Sequence, residues 1–162
     1  MVTVMPSGSE GAARTPIVYL DNSAFGRLTD SAPRVLPETH AVARIVAACL
    51  AGRLRLLLSE ILIVELAAAP MEVRDRVTRI LDQGVACVRL AATRSTALRL
   101  EALGFRTNDA LHLAAAYTGG ADFAVSCDRQ HWIRRAPRVA SVLGTRPVIV
   151  TPEECLQWAG LV

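Results

Sequence analysis

Two aspartates in the stretch TNDALHLAAAYTGGADFAVSCDRQ, residues 107–130, are far apart in sequence but spaced to meet in space. Thr107 is a good N-cap, which puts Asp109 in the first turn of a helix. Gly119-Gly120 stops that helix. About ten helical residues carry the chain ~15 Å from its start. About five extended residues, through Phe123-Ala124-Val125, bring it ~16 Å back. Asp128 is therefore expected at the same edge of the fold as Asp109. Alone, each has an ordinary explanation: a first-turn Asp complements the helix dipole, and an Asp after a strand is turn material. The case for either depends on what else arrives at that edge.

The elements that must position them follow from the pattern of apolar runs. Ile17-Val18-Tyr19-Leu20 reads as a first strand, ended by Asp21. A helical turn or two over 24–28 and a loop with Pro33 and Pro37 lead to a helix from about His40 to Ala51. Residues 54–58 form a second strand, and Ser59 caps a helix running through Glu65 to about Ala69. An amphipathic helix over 71–82 turns Val73, Val77, Ile80 and Leu81 inward. A third strand (85–88), a helix (93–103), the helix of Asp109, a strand (123–125) and a short helix after Asp128 come next. Val148-Ile149-Val150 is the last strand, and Thr151-Pro152-Glu153-Glu154 opens a terminal helix with cap, proline and acidic first turn. Five short apolar strands alternating with helices predict an α/β fold: three layers, α/β/α, around a central, mainly parallel sheet. Ligands of such sheets bind beyond the carboxyl ends of the strands, near a switch point. Asp21 and Asp128 both sit at such ends.

Glu65 is a third acid of interest, because it interrupts the apolar run ILIVELA (61–67). A carboxylate there faces an interior unless something offsets its burial. Asp122 reads as turn material after Gly119-Gly120-Ala121, and His112, one turn beyond Asp109, as packing. Asn22, Ser23 and Ser126 are polar neighbours suited to hydrogen-bonding the carboxylates. Arg129, Arg134, Arg135 and Arg138 cluster after Asp128, which fits either contact with phosphate or a solvated helix face.

At 162 residues the chain is long enough for one domain with a sizeable core. We expect residues 1–16, rich in Ser, Gly, Pro and Ala, to be a disordered leader before a single domain over 17–162. The hydrophobic fraction of 52% with only 4% aromatic describes an Ala/Leu/Val interior. No apolar run reaches ~20 residues, and the first thirteen residues have neither a basic nor an apolar segment. A cytoplasmic protein without a membrane span is the expectation. Cys49, Cys87, Cys127 and Cys155 form no CxxC pair and read as buried free thiols. All 18 basic residues are arginine. That excludes Schiff-base chemistry, a P-loop lysine, and receiver or haloacid-dehalogenase-type phosphotransfer, both of which need a lysine. Asp21-Asn22-Ser23-Ala24 is not the glycine-rich first turn of a Rossmann dehydrogenase.

The segments IVYLDNSAF (17–25), SEILIVEL (59–66), NDALHLAAA (108–116) and SCDR (126–129) together resemble the PIN domain. Within that family they look like the VapC-like ribonuclease toxins of bacterial toxin–antitoxin pairs. PVIVTPEECLQW (147–158) is similar to the family's last strand and helix. The resemblance spans about residues 17–160 and implies a metal-dependent endoribonuclease with Asp21, Glu65, Asp109 and Asp128 as its acidic set. Physical chemistry agrees: four converging carboxylates cannot all stay ionised without a compensating cation. Oxygen ligands favour Mg²⁺ or Mn²⁺ over zinc, and such an ion can activate water at a phosphodiester. Gln130 stands where relatives are often acidic, which bears on a second metal ion. Asn22 stands where many have Thr, and Leu62 where a polar residue is common. The resemblance also implies an RNA substrate, a small antitoxin laid across the acidic pocket, and a homodimer. A PIN fold without activity, binding RNA or protein, is the alternative.

Overall fold

The computed structural model describes residues 14–162; the first thirteen residues of the expected leader lie outside the described residues. Residues 14–16 are tied to the domain: the Pro16 carbonyl accepts from the Arg55 amide at 2.9 Å, and Arg14 pairs with Asp122. Five strands form one sheet: β1 (Ile17–Leu20), β2 (Arg55–Ser59), β3 (Gly84–Val88), β4 (Phe123–Val125) and β5 (Val148–Val150). Their order is β3-β2-β1-β4-β5, and every pairing is parallel.

Eight α-helices cover the two faces: α1 (Asn22–Arg27), α2 (Leu36–Leu50), α3 (Glu60–Ala67), α4 (Met71–Leu81), α5 (Leu90–Glu101), α6 (Thr107–Thr118), α7 (Ala136–Leu143) and α8 (Pro152–Trp158). Strand alternation divides the core in two. Val18, Leu20, Leu56 and Leu58 point to one side, where α1–α4 and α8 pack. Tyr19, Leu57 and Ala124 point to the other, against α5, α6 and α7. From β1 the chain builds outward through β2 to β3, then returns to lay β4 on the far side of β1. Crossovers between parallel strands are right-handed, so reversing the building direction moves the helices to the opposite face. The switch point lies between β1 and β4. This is the three-layer α/β/α fold expected from the sequence.

Several element ends differ from expectation, most clearly the starts of three helices. Helix α2 begins at Leu36, because Pro37 occupies its first turn, where a proline lacks nothing the helix needs. Helix α5 starts at Leu90 rather than 93. Thr107 is the first helical residue of α6 and Arg106 the cap position, with no side-chain cap bond. Asp109 remains in the first turn. Ser59 and Thr151 do cap their helices, the latter in a full capping box with Glu154. Among the described residues no helix is long and apolar enough to cross a membrane.

Two glycines give opposite expectations for the same substitution. A Cβ on Gly119 would lie 2.4 Å from Leu57 Cδ2 and 2.8 Å from Val88 Cγ2, where α6 ends against the sheet. Gly26, inside α1, has nothing within 4 Å of its Cβ position. Gly119→Ala should therefore overpack the core and cost about 1–3 kcal/mol. Gly26→Ala should stabilise by roughly 0.5–1 kcal/mol through lost backbone freedom. Thermal melts of both variants check this; a Gly119→Ala protein melting at or above wild type would contradict the close approach.

Candidate functional site

Asp21, Asn22, Ser23, Glu65, Asp109, His112 and Asp128 line one cleft of about 170 Å³. It opens at the carboxyl ends of β1 and β4. Each acid arrives on a different element. Asp21 follows β1, and its amide continues the ladder by donating to the Val125 carbonyl at 3.1 Å. Glu65 comes from α3, Asp109 from the first turn of α6, and Asp128 from the turn after β4. The structure brings all four expected acids together.

Asp21 is buried, 5% exposed. Ser23 Oγ (2.7 Å) and the Ala24 amide (2.8 Å) donate to its Oδ1, and Ser126 Oγ (2.6 Å) donates to Oδ2. It is thereby the side-chain cap of α1. Burial pushes its pKa up despite these three donors, with nearby His112 acting the other way. Ser23 and Ser126 are themselves held by the backbone that follows: the Cys127 amide donates to Ser23 Oγ and the Asp128 amide to Ser126 Oγ, both at 3.0 Å. Asn22 is exposed on the rim.

The other three carboxylates are each met by an aromatic ring nitrogen. His112 Nε2 stands 2.8 Å from Glu65 Oε2, and Asn108 Nδ2 donates to Oε1 at 2.8 Å. The contact with His112 is the main reason the Glu65 pKa falls, outweighing partial burial. Trp132 Nε1 donates to Asp109 Oδ1 at 3.1 Å, from an indole that is fully buried. His131 Nδ1 stands 2.9 Å from Asp128 Oδ2, while the amides of Gln130 and His131 donate to Oδ1. Burial opposes charge on Asp128, but these contacts together hold its pKa below the usual range.

Of these partners, Asn108 and His112 lie inside a segment that carried a candidate acid, and only His112 was singled out from sequence, as packing. His112 is not mere packing; it touches Glu65. Trp132 escaped notice because its role depends on the turn after Asp128 folding back toward α6, and His131 because its contact is made locally, within that turn. Gln130 contributes only its amide, as a turn residue would.

The remaining candidates fall elsewhere. Asp122 lies at the amino-terminal end of β4, away from the cleft, paired with Arg14 and Arg146 and accepting the Ile17 amide. Arg135 is half-buried with its guanidinium 5.8 Å over the Phe105 ring, which accounts for it as a packing residue. Arg129 is exposed and contacts Glu38, and Arg134 and Arg138 are exposed. The expectation that all four thiols are buried fails at Cys87, exposed on edge strand β3, and at Cys49, which is half-buried. Cys127, beside Asp128, is buried with its pKa pushed up to about 12, so it is no nucleophile at neutral pH.

All 18 arginines lie within the described residues, yet none pairs with Asp21, Glu65, Asp109 or Asp128 there. Their partners are neutral donors and two histidines. Among the described residues no three His, Cys, Asp or Glu side chains form a ready-made ligand cage. The donor set is nevertheless one of hard oxygens. Mg²⁺ keeps several of its waters and takes only one or two carboxylates directly, so the residues present fit such an ion. No protein-family model matches the chain, and comparisons with curated proteins and with solved structures give no match.

The raised pKa of Asp21 has a defined sign. Its folded value lies above its unfolded one, so its contribution to stability is complete below the ordinary carboxylate range and is lost as pH rises through the folded value. Asp21→Asn removes that titration and keeps an acceptor for the Ala24 amide. In EDTA, the variant's urea midpoint should gain on wild type as pH rises above the ordinary carboxylate range. A gap that is flat, or that shrinks with pH, would mean the serine hydroxyls outweigh burial.

Proposed function

We propose that this chain is a divalent-metal-dependent endoribonuclease, the toxin of a toxin–antitoxin pair with a PIN-like domain. The observation that carries the reading is the convergence of four carboxylates, unpaired by any arginine, at the switch point of a parallel sheet. Like charges so placed favour an external cation. Asp21, Glu65, Asp109 and Asp128 would hold Mg²⁺ or Mn²⁺, which when bound activates water and offsets charge on a phosphodiester oxygen.

The chain's own residues do the rest. Ser23, Ser126 and the Ala24 amide fix Asp21, while Trp132 and His131 fix the rotamers of Asp109 and Asp128. Oriented acids spare the site reorganisation when substrate arrives. RNA is the substrate, a small antitoxin covers the cleft, a second copy completes a dimer, and the protein works in the cytoplasm; these follow from the resemblance. A catalytically idle fold that binds RNA or protein is the competing reading. Its support is that Asp21, Glu65 and Asp128 already have protein donors on both oxygens.

Antitoxin-free protein with Mn²⁺ should cut RNA internally and leave a 5′-phosphate. Asp109→Asn, which keeps an acceptor for Trp132, should abolish cutting without lowering the melting temperature in EDTA. Mn²⁺ at a hundred times its dissociation constant adds about 2.7 kcal/mol to wild type, roughly 5–11 °C for a domain of this size. The variant should rise far less. Cleavage that survives EDTA, or leaves a 2′,3′-cyclic phosphate, would refute metal-assisted hydrolysis; binding without cleavage in Mn²⁺ would favour the idle fold.

The exposed arginines after the site should hold the RNA backbone. Replacing Arg134 and Arg138 by Gln should weaken RNA binding and flatten its dependence on salt by about one to two counterions. An unchanged slope would return both to the solvated surface. Arg135 is left intact because its loss would disturb the Phe105 contact.

A further inference from the structure

Glu65 is held by a buried chain of side chains that leaves the cleft, enters the sheet and returns to its own helix. His112 Nε2 lies 2.8 Å from Glu65 Oε2, and His112 Nδ1 lies 2.5 Å from Tyr19 Oη. Tyr19 Oη lies 2.7 Å from Ser59 Oγ, which accepts the Leu62 amide at 3.3 Å. Ser59 is the cap of α3, and Glu65 is the residue α3 delivers to the cleft. One Tyr–His pair therefore grips α3 at its start and at its functional side chain. Tyr19, Ser59 and His112 are 0%, 1% and 3% exposed, so no water competes for these atoms.

For a neutral imidazole the directions of the bonds follow from what each atom can do. An ionised carboxylate only accepts, so the proton between His112 and Glu65 belongs to Nε2. In a neutral imidazole Nδ1 then accepts, and Tyr19 must donate to it. Ser59 in turn donates to Tyr19 while accepting from Leu62. Every donor and acceptor is used once, in one sense. Burial raises the pKa of the Tyr19 phenol, which keeps its proton available for this role.

We propose that Tyr19 and His112 are positioning residues for Glu65: the phenol holds the imidazole in place through Nδ1, and the imidazole's Nε2 holds the Glu65 carboxylate in the cleft. The inference rests on Glu65 serving at that cleft, as in the nuclease reading. A satisfied core cluster would use the same contacts with the order reversed, Glu65 merely completing the valences of a buried histidine. The two differ in what happens when each end is removed.

The decisive measurement needs no activity. In ¹⁵N-labelled, metal-free full-length Glu65→Ala, His112 should keep its Nδ1 hydrogen bond to Tyr19, because the phenol holds the ring. Loss of that hydrogen bond would overturn the proposal, since Glu65 would then be the residue that orders the ring. The second arm uses Tyr19→Phe, His112→Gln and His112→Ala, with melts in EDTA as control. Tyr19→Phe should weaken Mn²⁺ binding, titrated with the metal alone, or lower kcat, by about 10–100-fold, with KM for RNA little changed. His112→Gln retains an N–H donor and should keep more of both than His112→Ala. Losses that merely follow melting temperature, or equal losses for Gln and Ala, would refute positioning. Should wild type neither bind Mn²⁺ nor cut RNA, the nuclease reading falls, while the His112–Tyr19 hydrogen bond in Glu65→Ala still decides whether Tyr19 or Glu65 orders the ring.

Discussion

Removing a carboxylate from water costs several kcal/mol unless oriented dipoles replace the water it loses, and Asp21 stands at the end of the middle strand of the sheet. Its replacements come from both sides of the switch point: Ser23 and the Ala24 amide from the turn into α1, Ser126 from the end of β4. Those serines are themselves oriented by the amides of Cys127 and Asp128. The register of β1 against β4, the start of α1 and the turn that carries Asp128 are thus fixed by one buried charge. Shift β4 by one residue, and Asp21 loses its second oxygen's partner as well as its ladder bond.

The two ends of the sheet treat the same residue type in opposite ways. At the amino-terminal end Asp122 is buried and neutralised by two arginines, the ordinary fate of an interior carboxylate in an arginine-rich chain. At the carboxyl end four acids share a cleft and no arginine answers them. Neutral donors orient a carboxylate without cancelling its charge. The field of the four acids is left in place.

Much of this was legible in the sequence. Strand β1 and its terminal Asp21 are a run of strand formers ended by a polar residue, and the helix–glycine–strand arithmetic from Asp109 to Asp128 depends only on fixed rises per residue. Glu65 stood out because a charge in ILIVELA demands an explanation. What could not be read were the contacts that need two elements to dock. Nothing in HWIRR distinguishes an indole that reaches Asp109 from any core tryptophan, nor an Arg that stacks on Phe105 from one that faces solvent. Asp122 looked like turn material because its neighbours are glycines; its arginine partners lie 108 and 24 residues away. Thr107 has the chemistry of a cap, but the preceding Arg106 takes the extended conformation, and the threonine falls inside the helix.

The switch-point topology also sets the order in which the site can come into being. Strands β1, β2 and β3 pair along the chain as it is made, and with α3 they supply Asp21 and Glu65. The other edge of β1 stays bare until β4 arrives, with Asp21 and Ser126 separated by 105 residues. Closing so long a loop is slow compared with forming local helices. The mutual repulsion of the acids is therefore met only once β4 closes on β1, after the half that carries Asp21 and Glu65 is already built. A chain still on the ribosome, short of residue 128, lacks one wall of the cleft.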